Sequence, residues 1–100
     1  MKDDWQTKEF NYGIEVLLAE KPLDKSITKA VEELSELSVK LLQYLNKPGG
    51  VSSKDIEEEI IDCEMHFIVL KKYFPISEEV RNEKINKFLN SAEYKALKIK

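Results

Sequence analysis

Pro22, the Pro48-Gly49-Gly50 run and Pro75 cut this chain into segments, and inside each segment apolar residues recur at three- and four-residue steps. Proline removes a backbone donor and restricts the residue before it, so each cut ends one helix and lets another begin. Over 24–46, Ile27, Ala30, Val31, Leu34, Leu37, Ser38, Leu41, Leu42 and Leu45 fall on one helical face. Asp24 or Ser26 is expected to serve as its N-cap. Ser52 with Asp55 three residues later forms a capping-box pattern, which predicts a second helix over 53–74. Ser77 followed by Glu78 and Glu79 opens a third, predicted over 77–95, with acids placed for the helix dipole. The segment 1–22 is also expected to be helical, with Gly13 as its weak point. No strand-like alternation competes. The predicted fold is all-α, one antiparallel helical-bundle domain over 1–100.

The second helix does not divide cleanly into wet and dry faces. At about 100° per residue, Ile56, Ile60, Cys63, Phe67, Leu70 and Phe74 form one stripe, and Ile61, Met65, Ile68 and Val69 cover much of the other side. Glu59, Asp62 and His66 fall between these apolar groups, and Glu57, Glu64, Lys71 and Lys72 keep the outward face. A helix apolar around most of its girth needs several packing partners, more than one short chain supplies. The bundle is therefore expected to be completed by homo-oligomerisation, as a homodimer or homotetramer.

Acids set among apolar residues are costly unless a cation holds them. Glu59 and Asp62 are three apart, hence neighbours on a helix surface. Glu33 and Glu36 repeat the device on the rim of the first long helix. If the two helices pack antiparallel, four carboxylates converge and repel one another, raising their pKa values unless a divalent cation joins them. Oxygen donors favour a hard ion, Mg²⁺ or Mn²⁺, over zinc. A register shift of one residue would bring in Glu32, Glu57 or Glu58 instead. Cys63, on the main stripe, is expected in the core.

The charge balance narrows the partners. A net charge of −3 with both signs interspersed gives no basic field for nucleic acid or an anionic membrane surface. No apolar stretch reaches the ~18 residues of a membrane span. The single cysteine cannot form an intrachain disulfide, and the start MKDDWQTKEF carries no apolar signal region, so a cytoplasmic setting is expected.

Glu33-Leu34-Ser35-Glu36 followed by Glu59-Ile60-Ile61-Asp62, within EELSEL and EEIID, resembles the MazG-type all-α nucleotide pyrophosphohydrolases, in particular short phage-type members, over roughly residues 25–90. The resemblance implies a magnesium-dependent enzyme that cuts nucleoside triphosphates between the α and β phosphates, releasing monophosphate and pyrophosphate. It implies Glu33, Glu36, Glu59 and Asp62 as metal ligands, with Glu33 or Glu36 also acting as base. It further implies substrate contacts on the last helix, at Lys84, with Lys87 and Asn86 beside it and Arg81 as a weaker candidate. DCEMHFIVL places His66 as in the related phosphoribosyl-ATP pyrophosphohydrolases, although the amino-terminal extension and the Gly49-Gly50 loop do not match them. That activity is the alternative, together with a non-catalytic helical module for assembly or nucleotide sensing. Trp5, Phe10 and Tyr12 are expected as core or staple aromatics, with stacking on a nucleobase as their functional alternative.

Overall fold

The structure, a computed structural model, describes residues 7–99. It is all-helical there: α1 (Lys8–Glu20), α2 (Leu23–Asn46), α3 (Ser53–Tyr73), α4 (Glu78–Leu89) and α5 (Ala92–Ile99), with no strand among the described residues. Residues 1–6, where the amino-terminal helix was expected to begin, and Trp5 with them, lie outside the described residues. No helix among those described is long and apolar enough to cross a membrane.

Local chemistry explains most helix ends. Thr7 caps α1 by accepting from the Phe10 N–H. Ser52 and Asp55 form the expected capping box, with Asp55 N–H donating to Ser52 Oγ at 3.1 Å and Ser52 N–H donating to Asp55 Oδ2 at 3.0 Å. Ser77 caps α4 by accepting from Val80 N–H. The start of α2 differs from expectation. Pro22 is the N-cap and no side chain caps this end, because the helix begins at Leu23, ahead of both Asp24 and Ser26. Proline's fixed φ suits a helix start, so α2 initiates earlier than the side-chain pattern suggested.

The expected helix over 77–95 is instead two. Asn90 closes α4, its amide donating to Asn86 O at 2.8 Å. Ser91 Oγ donates to Phe88 O at 2.7 Å and accepts from Tyr94 N–H at 3.1 Å. Asn and Ser side chains compete with the backbone for its hydrogen bonds, and here two in succession end one helix and start the next. Phe88 and Tyr94 then meet across the corner, ring centroids 5.1 Å apart.

Close packing centres on α2 and α3. The cross-links Lys40–Glu59 and Glu33–Cys63 pair falling numbers on α2 with rising numbers on α3, so the two run antiparallel. α1 is fastened near the carboxyl end of α3 by Lys72–Glu15 at 3.2 Å, and by Tyr73 Oη donating to Lys21 O at 2.9 Å.

Of the apolar stripe expected on α2, only Ala30 is fully buried in the seam. Ser26, Ala30 and Glu33 are buried there, while Ile27, Val31, Leu34, Leu41, Leu42 and Leu45 stay exposed. On α3 the buried residues are Glu59, Cys63 and Val69, while Ile60, Ile61 and Phe67, and Phe74 just past its end, are exposed. Small residues let the backbones approach, and a chain with one partner per helix leaves the remaining apolar girth to solvent. Cys63 is core as expected. Tyr12, at 71% exposure, is not a core aromatic, and Phe10 is half-buried.

The capping box makes a direct test. Ser52→Ala is expected to cost about 1 kcal/mol in denaturant unfolding at fixed protein concentration. The Ser52 hydrogen bonds, backbone first, hold the Asp55 carboxyl below its usual pKa, so its contribution is present above the ordinary carboxylate range and is lost as pH falls through the lowered value. Ser52→Ala should flatten that acid-side loss.

Candidate metal centre

The antiparallel seam brings three of the four expected carboxylates together. Glu33 from α2 and Glu59 and Asp62 from α3 each offer an oxygen within 4.8 Å of the others. Glu33 and Glu59 are 8% and 5% exposed, and Asp62 is half-buried. Glu36 lies outside this set and is exposed, though it is close enough to act on Glu33 electrostatically. Glu32, Glu57 and Glu58 are all exposed. The helix register therefore selects Glu33 and Glu59.

Two oxygens in the cluster are orphaned. Glu33 Oε2 and Glu59 Oε2 are buried without a hydrogen-bond partner. Buried polar atoms are paired in the great majority of cases, so two such oxygens facing one cluster mark a place that asks for a cation or donors. Burial is the main reason the Glu33 carboxyl is pushed above its usual pKa, with Glu36, Asp62 and Glu59 adding to it and His66 opposing. The expected mutual repulsion is thus present but ranks second to burial. Burial likewise pushes the Cys63 thiol up, and its Sγ donates to Glu33 O at 3.5 Å, tying the cluster's two helices together.

Two lysines already serve the cluster. Lys40 Nζ donates to Glu59 Oε1 at 3.0 Å from a partly buried position, and that bond holds the Lys40 ammonium above its usual pKa. Lys29 lies 3.8 Å from Glu33 Oε1, and closer, at 3.5 Å, to the exposed Glu32. Neither was singled out from sequence. The signal was available: Lys29, Glu33, Glu36 and Lys40 follow one another at helical steps of four, three and four.

His66 is half-buried one turn beyond Asp62, outside the carboxylate set, and lines a small cavity between the start of α2 and α3. Arg81, Lys84, Asn86 and Lys87 sit on α4, which buries no residue, and their side chains make no hydrogen bond or ion pair among the described residues. The α2–α3 seam therefore does not gather them.

Comparison of this chain with family models, curated proteins and solved structures finds no match.

A carboxylate whose folded pKa is raised binds more protons folded than unfolded, so stability falls as pH rises from the ordinary glutamate value through the raised one. In metal-free protein, Glu33→Gln is accordingly expected to raise the melting temperature at neutral pH and to shrink this loss. Calorimetry across pH 4 to 8, in a chelating buffer, measures both.

Proposed function

We propose that this protein is a magnesium-dependent nucleotide pyrophosphohydrolase of the MazG-like kind, converting an NTP or dNTP to monophosphate and pyrophosphate. The observation that carries the proposal is the pair of buried, unpartnered oxygens, Glu33 Oε2 and Glu59 Oε2, in a three-carboxylate cluster. Donor chemistry fits a hard divalent ion: oxygens only, from two helices held in fixed register. Glu33, Glu59 and Asp62 would hold Mg²⁺, with Mn²⁺ as a substitute. Bound there, the ion would supply charge neutralisation for phosphate oxygens and a lowered pKa for water.

The remaining work falls to the chain's own groups. Lys40 must release Glu59 Oε1 for that oxygen to become a ligand. Glu36, exposed at the edge of the cluster, is free to take the proton that water sheds as its oxygen bonds to the α-phosphorus. The bond from that phosphorus to the α–β bridging oxygen then breaks, and pyrophosphate leaves. Lys84, Lys87 and Asn86 would meet the phosphates in an oligomer that brings α4 of one copy towards the seam of another.

Oligomerisation is part of the same proposal. Val31, Leu42 and Leu45 on α2, Ile60 and Phe67 on α3 and Phe74 at its end leave large apolar side chains exposed. A homodimer or homotetramer would cover them, and the one unpaired thiol, Cys63, suits a reducing cytoplasm.

One observation favours a second function. Lys40 already neutralises Glu59, as a structural ion pair would in a non-catalytic assembly or nucleotide-sensing module. Incubation with NTPs, dNTPs and phosphoribosyl-ATP in Mg²⁺ separates the two. Monophosphate and pyrophosphate are the expected products, and Glu36→Gln or Asp62→Asn should lower the rate by about a hundredfold or more, the scale of general-base catalysis. Orthophosphate as sole product contradicts the α–β cleavage. No turnover of any substrate, with the chain still binding Mg²⁺, supports the module.

A further inference from the structure

One cation already stands at the carboxylate cluster, and it belongs to the chain. Lys40 Nζ lies 3.0 Å from Glu59 Oε1, reaching across the seam from α2 to α3. Glu59 is buried, so its charge is desolvated and would be costly without that ammonium. Lys29 does not play the equivalent part for Glu33, since it stands 3.8 Å off and lies nearer Glu32. The other oxygens of the two buried glutamates, Glu33 Oε2 and Glu59 Oε2, remain unpartnered. The cluster is therefore only half-filled, with acceptor capacity left beside the one close ammonium.

Two features make this lysine removable. Its side chain is 35% exposed and that of Glu59 only 7%, so the ammonium regains water by turning outward while the carboxylate stays dry. Lys40 also lines an open groove on α2 with Ser35, Glu36, Val39 and Gln43, and its volume of about 280 Å³ leaves room for the released side chain. Charge then decides what takes its place. A monovalent ion carries the same single charge as the ammonium, so exchange gains no attraction and gives up a contact within the chain. A divalent ion brings a second charge to three carboxylates whose oxygens lie within 4.8 Å of one another.

We propose that Lys40 is a built-in competitor for the metal centre, filling it in the absence of a divalent ion and excluding Na⁺ and K⁺ from it. The inference rests on the carboxylate cluster being the metal site of the function proposed above, and not on the nucleotide chemistry. The cluster admits metal only while Lys40 is off Glu59, so the apparent affinity is the intrinsic one reduced by the fraction of molecules in that state. Lys40 thus sets both affinity and ion choice without being a ligand. A purely structural ion pair would stabilise the seam and do neither.

The test is titration of the full chain with Mn²⁺, without nucleotide, the free ion being measured by its electron paramagnetic resonance signal. It is run in choline chloride and in NaCl or KCl at equal ionic strength, so that screening is constant. Lys40→Met is expected to bind Mn²⁺ about tenfold more tightly than the wild-type chain in choline chloride, within the usual range for coupled sites. It should lose most of that gain in NaCl or KCl, whereas the wild-type chain should bind alike in every salt. Lys40→Gln, neutral but still able to donate to Glu59, should show a smaller gain with far-UV circular dichroism unchanged. Lys40→Arg, which keeps the charge, and Lys47→Ala, just past the end of α2, should stay near the wild-type affinity. Adding Asp62→Asn to Lys40→Met should remove the gain. Equal or weaker binding by both neutral variants, or an equal gain from Lys47→Ala, overturns the competitor and leaves the metal centre standing. Binding of Mn²⁺ by neither the wild-type chain nor the Lys40 variants overturns both. Binding by the Lys40 variants alone supports the competitor and counts against the pyrophosphohydrolase.

Discussion

Two glutamates, one from each of two antiparallel helices, are buried against each other where an ordinary hairpin would bury leucines. Ala30, Ser26 and Cys63 let the helices approach closely enough to enclose Glu33 and Glu59. Lys40 holds one oxygen of Glu59, and Lys29 stands off one oxygen of Glu33. The second oxygen of each carboxylate is left without a partner. Folding does not tolerate such an arrangement cheaply, because buried charge loses its hydration and is repaid only by good pairing. A seam selected for stability alone would substitute apolar residues, which are plentiful on the same helices and are turned outward instead.

Much of this was legible in the sequence, and particular residues show why. Pro22, the Gly49-Gly50 loop and Pro75 act locally, so the helices they bound were readable without tertiary information. The Ser52–Asp55 box is equally local. The E-x-x-E and E-x-x-D spacings placed carboxylates on matching helices, and the antiparallel seam brings Glu33, Glu59 and Asp62 together. Glu36 falls outside because three residues at about 100° each turn it about 60° round α2 from Glu33, to an exposed position. The break at Asn90 and Ser91 was not legible, because the competing side-chain hydrogen bonds that make it carry no periodic signal. Which stripe packs was not legible either. Periodicity shows that a helix is amphipathic, but with one intrachain neighbour available, the small and acidic face won that neighbour and the leucine face did not.

These two facts, a polar seam and an uncovered apolar exterior, fit one account. Under the proposed function the hairpin would carry the chemistry, and the apolar surfaces would be where copies of the chain meet. The buried residues of a single copy, chiefly Ile14, Ala30, Cys63 and Val69, make a thin core for a domain of this length. Assembly would supply the apolar burial the single chain lacks, so that the carboxylate seam stays rigid despite its electrostatic cost.

The most direct measurement of the central claim is the anomalous signal from a crystal soaked in Mn²⁺. The account predicts a peak between Glu33, Glu59 and Asp62, with Lys40 Nζ moved off Glu59. A soaked crystal in which Lys40 still grips Glu59, and no manganese lies among the three carboxylates, would contradict it.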